Sequence, residues 1–224
     1  MKALGLGLLA TVFTISAISQ TQPTATTLSP HFRWSERLAH ELSYRNTIGN
    51  TKDLSPEQRA ALLKALLPLL QHDQDDKLDD TPPDELRKLA LDTRIELVDL
   101  NGDGTKEVVA QANGLGPCGA TGNCSLWVFS MSGNDFKLLL DSTEGKWGGG
   151  VEKTRILPTA TNGYRDIVLG AHDSAVERTL VVYSYHGDHY RISRCYGLNW
   201  MSEDLKALDS PQIWPCHGFR PDFK

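Results

Sequence analysis

Leu126–Leu138 reads LWVFSMSGNDFKL, and Leu180–Ile192 reads LVVYSYHGDHYRI. Laid side by side without a gap, the two agree at four of thirteen positions, and Phe/Tyr, Asn/Asp, Lys/Arg and Leu/Ile exchanges fill several others. Each sets β-branched and aromatic residues on both sides of a short Gly-containing turn, which is the pattern of a hairpin. Upstream, Gly104-Thr-Lys-Glu-Val-Val matches Gly163-Tyr-Arg-Asp-Ile-Val, with five more residues in the connection that follows the first copy. An internal duplication explains both matches at once. Each copy reads as strand, turn, strand, long loop, strand, tight turn, strand, so residues 93–224 are expected to form a duplicated antiparallel β domain.

Outside the repeats the periodicity is helical, and residues 29–92 read as a helical segment. Ser29-Pro30 gives an N-cap with proline at the first helical position, and Trp34, Leu38 and Leu42 follow at a spacing of four. Ser55-Pro56-Glu57-Gln58 is a capping box that opens a second helix, rich in Leu from Leu62 to Leu70, whose final turn Pro68 is expected to kink. A third, short helix begins near Pro82 and carries Leu86, Leu89 and Ala90. Between the last two lies HDQDDKLDDTPPDE, in which seven acids face the single Lys77; it shows no fixed ligand spacing and reads as a solvated linker.

The first 19 residues carry a basic start, an apolar run and small residues before Ser19, the form of a cleaved signal peptide. Residues 20–28 are a polar, Thr-rich lead expected to be disordered. Export sets the reading of the four cysteines, Cys118, Cys124, Cys195 and Cys216. In an oxidising compartment they make two disulfides, and of three possible pairings Cys118–Cys124 and Cys195–Cys216 are favoured. The second closure ties the C-terminal tail to the last strand of the repeat and is worth about 3 kcal/mol on the chain-entropy model.

One motif has spacing that chemistry can use. Asp99-Leu-Asn101-Gly-Asp103-Gly104-Thr105-Lys-Glu107 puts oxygen-bearing side chains at alternate positions, with glycine where the loop must turn. Calcium takes six to eight oxygen ligands, and a tight loop can offer Asp99, Asn101, Asp103, the Thr105 carbonyl and Glu107 around one point. The position where a helix-loop-helix calcium hand carries its bidentate Glu is Ala110, and the residues after the loop read as a strand, so this is not such a hand. The pattern D-x-N-x-D-G-x-x-E between strands resembles the calcium loops of FG-GAP and VCBS-type β-repeats, closely over residues 95–112 and weakly, as a blade-like unit, to about residue 140. That resemblance implies a structural calcium at Asp99, Asn101, Asp103 and Glu107. The second copy has Pro158, Ala160 and Asn162 at the first three ligand positions and keeps only Asp166, so no metal is expected there. Two blades are also too few to close a propeller, which takes about four or more.

Other candidates have weaker spacing. His172-Asp173, His186 and His189 invite a metal or acid/base reading, but a turn separates the last two, and Ser174 lacks the glycines of a nucleophile elbow. Trp147 lies in the glycine-rich stretch Glu144–Gly150, where it is either tucked under the sheet or exposed as a stacking surface for a ligand.

Composition bounds the rest. The chain has 224 residues, with 23 Lys+Arg against 28 Asp+Glu and a formal charge of −5, and it has no basic run, which argues against a nucleic-acid binder. With 40% hydrophobic residues it has enough apolar side chain for a core. The expectation is an α+β fold: a helical segment packed on two blade-like four-stranded repeats, not a closed propeller. The expected function is a secreted or periplasmic, non-catalytic module that meets a protein or glycan partner through its long loops, with no stable membrane insertion after cleavage. The alternatives are an extracytoplasmic hydrolase built on His172, His186 or His189, and an inhibitor or immunity-like protein that blocks an enzyme with a disulfide-pinned loop.

Overall fold

The computed structural model describes residues 40–72, 81–114, 118, 122–144, 150–202, 204 and 206–221. The leader, the lead 20–28, Trp34 and Leu38, the centre of the acidic linker and Trp147 lie outside these residues. The described chain opens with two short strands, β1 (His40–Glu41) and β2 (Asn46–Thr47), then α1 (Pro56–His72) and α2 (Pro83–Asp92). Four strands follow as one antiparallel meander: β3 (Arg94–Val98), β4 (Glu107–Gln111), β5 (Leu126–Ser132) and β6 (Asp135–Asp141). A second meander comprises β7 (Lys153–Thr161), β8 (Tyr164–His172), β9 (Glu177–His186) and β10 (His189–Met201), to which β11 (Ala207–Pro215) adds an edge. The first sheet has the order β2-β3-β4-β5-β6 and the second β1-β7-β8-β9-β10-β11; both are open. The matching stretches of sequence fall on the β5–β6 and β9–β10 hairpins, whose turn glycines, Gly133 and Gly187, have φ of 60° and 71°.

Strand alternation divides the first sheet between two cores. Val108, Ala110, Trp127 and Phe129 point toward the helices and pack with Leu62, Leu66, Leu70 and Ala90. Val109, Leu126 and Val128 point the other way and pack with Ile156, Ile167, Leu169 and Val181 of the second sheet. The layers are therefore helices, first sheet, second sheet. The capping box forms in both directions: the Ser55 amide donates to Gln58 Oε1 at 2.9 Å and the Gln58 amide to Ser55 Oγ at 3.2 Å. α1 runs on through Pro68 to His72.

One expectation fails within the described residues. The helix read from Trp34 through Leu42 does not include residues 40–47, which cross from one sheet to the other as a strap of two short strands, with Tyr44 between them at a φ of 45°. His40 pairs with Ile156 at the edge of the second sheet, and Asn46 with Ile95 at the edge of the first. Between them the Leu42 amide donates to the Thr154 carbonyl at 3.1 Å, and the Ser43 and Tyr44 amides to Glu96 Oε2 at 2.7 and 3.1 Å. Unpaired edge groups on both sheets compete for this backbone, and their donors and acceptors outweigh an apolar spacing that one short helix would have used. Leu42 is buried in the core between the sheets.

Candidate functional site

Both meanders run the same way, so their connections gather at two ends. At one end lie the loop 99–106 and the tight turns at Gly133, Gly163 and Gly187; the Arg165 amide donates to the Leu100 carbonyl at 2.7 Å and ties the first loop to the second sheet. At the other end lie the connections into β5, β7 and β9. There Cys118 is bonded to Cys124, Cys124 and Val151 exchange backbone hydrogen bonds, and Asn123 holds His172. Cys195 is bonded to Cys216, which fixes the chain after β11 to β10; this and the first bond are the pairing favoured from spacing. Trp214 lies against the backbone of Gly197, where any Cβ would come within 2.9 Å of the indole, and it remains 41% exposed.

The 99–106 loop closes the β3–β4 hairpin beyond the pair Val98–Glu107. Its side chains fold back on its own amides. Asp99 accepts from the Gly102 and Gly104 amides at 2.7 and 3.1 Å, Asn101 Oδ1 from the Asp103 amide at 3.0 Å, and Asp103 Oδ1 from the Thr105 amide at 2.6 Å. The Asn101 side-chain amide donates to Asp103 Oδ2 at 2.8 Å. Those bonds hold the exposed Asp103 carboxyl below the usual range, the Thr105 amide contributing most. Glu107 behaves oppositely. It is 2% exposed, and its Oε2 accepts from the Leu100 amide at 2.8 Å. Burial pushes its carboxyl above the usual range, and the negative charges of Asp103 and Asp99 add to the rise.

These residues suit a calcium ion in kind. They are hard oxygen donors on a short loop, with a buried carboxylate that the neighbouring acids destabilise as an anion and that a cation would stabilise. Their oxygens are turned toward amides of the loop and its flank. Among the described residues, no three His, Cys, Asp or Glu side chains are gathered as closely as a metal ion would hold them. Thr105 enters the hydrogen bonding through its amide.

Compared with known protein families, characterised proteins and solved structures, the chain matches none.

The histidines do not form one site. His172 pairs with Arg178 at the start of β9, whereas His186 ends that strand, and eight residues of strand put them roughly 26 Å apart. His186 and His189 are opposite each other across β9 and β10, and His189 Nδ1 lies 2.6 Å from Asp188 Oδ1. The Ser174 hydroxyl accepts from the Val176 and Glu177 amides at 3.3 and 3.0 Å, and Asp173 Oδ2 accepts from Thr179 at 2.6 Å. These two side chains shape a turn, and neither addresses His172.

The sequence reading missed a cluster at the disulfide end. Arg178 Nη1 donates to Glu152 Oε2 and lies 3.0 Å from His172 Nε2, which is itself 2.8 Å from the same Glu152 oxygen. All three side chains are part-buried. The register His172–Arg178 within the β8–β9 hairpin was the one signal that could have pointed to part of it. A cleft of about 460 Å³ beside the strap is lined by Arg45, Asp53, Glu96 and Lys106 over Ile95, charges of both signs without a convergent group.

Proposed function

We propose that this chain is an exported, non-catalytic interaction module made of two blade-like four-stranded repeats, stiffened by calcium at Asp99, Asn101, Asp103, Thr105 and Glu107. Its disulfide end is the contact surface for a protein or glycan outside the cytoplasm. The observation that carries this reading is the placement of the connections. Three tight turns and the self-bonded loop 99–106 occupy one end of both meanders, while the disulfide-pinned loop, the connection into β7 and the 173–176 turn meet at the other, where Asn123 bonds both backbone groups of His172. Loops fixed on a rigid sheet scaffold are the usual carriers of recognition. Export is supported by the two disulfides and the leader-like start, and no described helix is long and apolar enough to cross a membrane.

The test is recovery of a partner from the exported fraction by immobilised protein. Recovery of one species by the native chain, lost on Cys118→Ser/Cys124→Ser and restored by neither calcium nor chelator, is the expected result. Equal recovery by the native and loop-opened proteins would overturn the disulfide end as the contact surface.

A further inference from the structure

We propose that Asn113 is a site of spontaneous deamidation, a modification that puts a negative charge where the chain leaves β4 for the disulfide-pinned loop. The chain has three Asn–Gly pairs, Asn101-Gly102, Asn113-Gly114 and Asn162-Gly163. A glycine has no Cβ to keep its amide nitrogen from the preceding carboxamide, so the sequence alone makes all three reactive. Solvent access does not single out Asn113: each glycine is exposed, Asn101 and Asn113 are half-buried, and Asn162 is exposed. Nor does the backbone at the three glycines, with φ of 76°, 98° and 87°. Hydrogen bonding does.

In the reaction the Gly114 nitrogen gives its proton to base and attacks Asn113 Cγ. The N–Cγ bond forms, the Cγ–Nδ2 bond breaks, and Nδ2 takes up a proton and leaves as ammonia. Water then opens the succinimide, at Cγ to give Asp or at the backbone carbonyl to give isoAsp; one water is taken up and one ammonia lost. The glycine amide and the carboxamide must both be free to meet. At Asn101 neither is: the Gly102 amide donates to Asp99 Oδ1 at 2.7 Å, Asn101 Oδ1 accepts from the Asp103 amide at 3.0 Å, and Asn101 Nδ2 donates to Asp103 Oδ2 at 2.8 Å. At Asn162 the side chain donates to the Tyr185 carbonyl at 2.9 Å, and the residue is held at a φ of 49° in the turn closed by the Thr161–Tyr164 pair. Asn113 lies beyond the end of β4, and among the described residues neither its side chain nor the Gly114 amide is hydrogen-bonded. A hydrogen bond that must break first adds to the barrier, and one to a carboxylate is worth about tenfold in rate. The preceding residue is fixed, since the Ala112 amide donates to the Ser125 carbonyl at 2.8 Å, so the new charge stays at the root of the disulfide-bonded loop. The reaction rests on neither the calcium nor the contact-surface reading; on the latter, the charge falls within the surface that meets the partner.

Peptide mapping by mass spectrometry tests this on the full chain, aged in mildly alkaline buffer with chelator. Asn113 should deamidate about tenfold faster than Asn101 and Asn162, whereas the three rates should converge in urea, where no hydrogen bond protects any of them. Asp99→Ala, which removes the acceptor of the Gly102 amide, should speed Asn101 about tenfold and leave Asn162 unchanged. The native chain needs no variant to fold and carries the comparison with Asn113 by itself. Loss from Asn101 or Asn162 as fast as from Asn113 in the folded chain, or an Asn113 that reacts only once the chain is unfolded, would overturn the proposal.

Discussion

The loop from Asp99 to Glu107 and the stretch from Pro158 to Asp166 join the first two strands of the two meanders, and each ends on a buried carboxylate, 2% and 4% exposed. Gly104 and Gly163 match in sequence and in backbone, with φ of 86° and 87°. The carboxylates are served differently. In the second stretch Asp166 accepts from the Thr159 and Thr161 hydroxyls at 2.7 and 2.9 Å, one on each oxygen, and β7 stays paired up to the Asn162–Gly163 turn apart from a register shift after Ile156. In the first, Glu107 accepts from the Leu100 amide at 2.8 Å and sits near two further acids. One loop gives its buried acid hydrogen bonds from its own hydroxyls; the other gathers negative charge. Positions that match in sequence thus surround a buried acid with hydroxyl donors in one sheet and with further acids in the other, and the neighbours four to eight residues away make the difference.

The largest effect that bears on this contrast is expected from Asp166→Ala. It removes the buried acceptor of two hydroxyl hydrogen bonds, one from the exposed Thr159 and one from the half-buried Thr161, at a cost of about 3 kcal/mol. The cost should be the same in calcium and in chelator, because the hydroxyl pair needs no ion. Urea unfolding under both conditions measures it. If the loss were under about 1 kcal/mol, the second loop would not owe its order to Asp166.

Next comes the calcium response of the first loop. At a hundred times its Kd, calcium should add about 2.7 kcal/mol to the native chain, a rise in Tm of roughly 5–10 °C for a domain of this size. Asp99→Ala should remove most of that rise, while Asp166→Ala should keep it. A native Tm indifferent to millimolar calcium and to chelator would end the metal reading and leave the loop as a self-bonded turn.

How far the sequence led follows from the range of the interactions. The Ser55–Gln58 box, the hairpins at Gly133 and Gly187 and the Cys118–Cys124 pair are local, so a reader of neighbouring residues meets both partners. The strap at 40–47 is not: its pairing with Ile156 and its bonds to Glu96 span over fifty residues, and no local pattern distinguishes a helix start from a strand that two distant edges will recruit. The Glu152–His172–Arg178 cluster was hidden for the same reason, since Asn123 reaches His172 across a separation of 49 and Glu152 meets Arg178 across 26. The loop 99–107 shows the middle case. Its ligand-like spacing is readable, but the inward turn of Asp99, Asn101 and Asp103 onto loop amides is a matter of backbone geometry.

The smallest effect is one of pH, and its sign separates the two acids within the first loop. Glu107 has a carboxyl raised by burial and by Asp103 and Asp99, so the folded state binds its proton more readily than the unfolded chain does. In chelator, its charge weakens the fold at every pH above the folded value, and that penalty is relieved as pH falls through the raised value toward the ordinary one. Asp103, held below its usual range by the Thr105 amide, contributes in the opposite direction: its stabilisation is present above the unfolded value and lost as pH falls through the lowered one. The two windows lie on either side of the ordinary carboxylate range, so a comparison of native and Glu107→Gln chains between about pH 7 and about pH 4.5 reads Glu107 with little interference. Without calcium, the native chain should gain stability relative to Glu107→Gln as pH falls across that span. With calcium bound to the ionised carboxylate the relative trend should reverse, because protons then compete with the metal. Parallel urea midpoints for the two chains in chelator would show that Glu107 carries no burial penalty, and the contrast with the hydroxyl-served Asp166 would lose its basis.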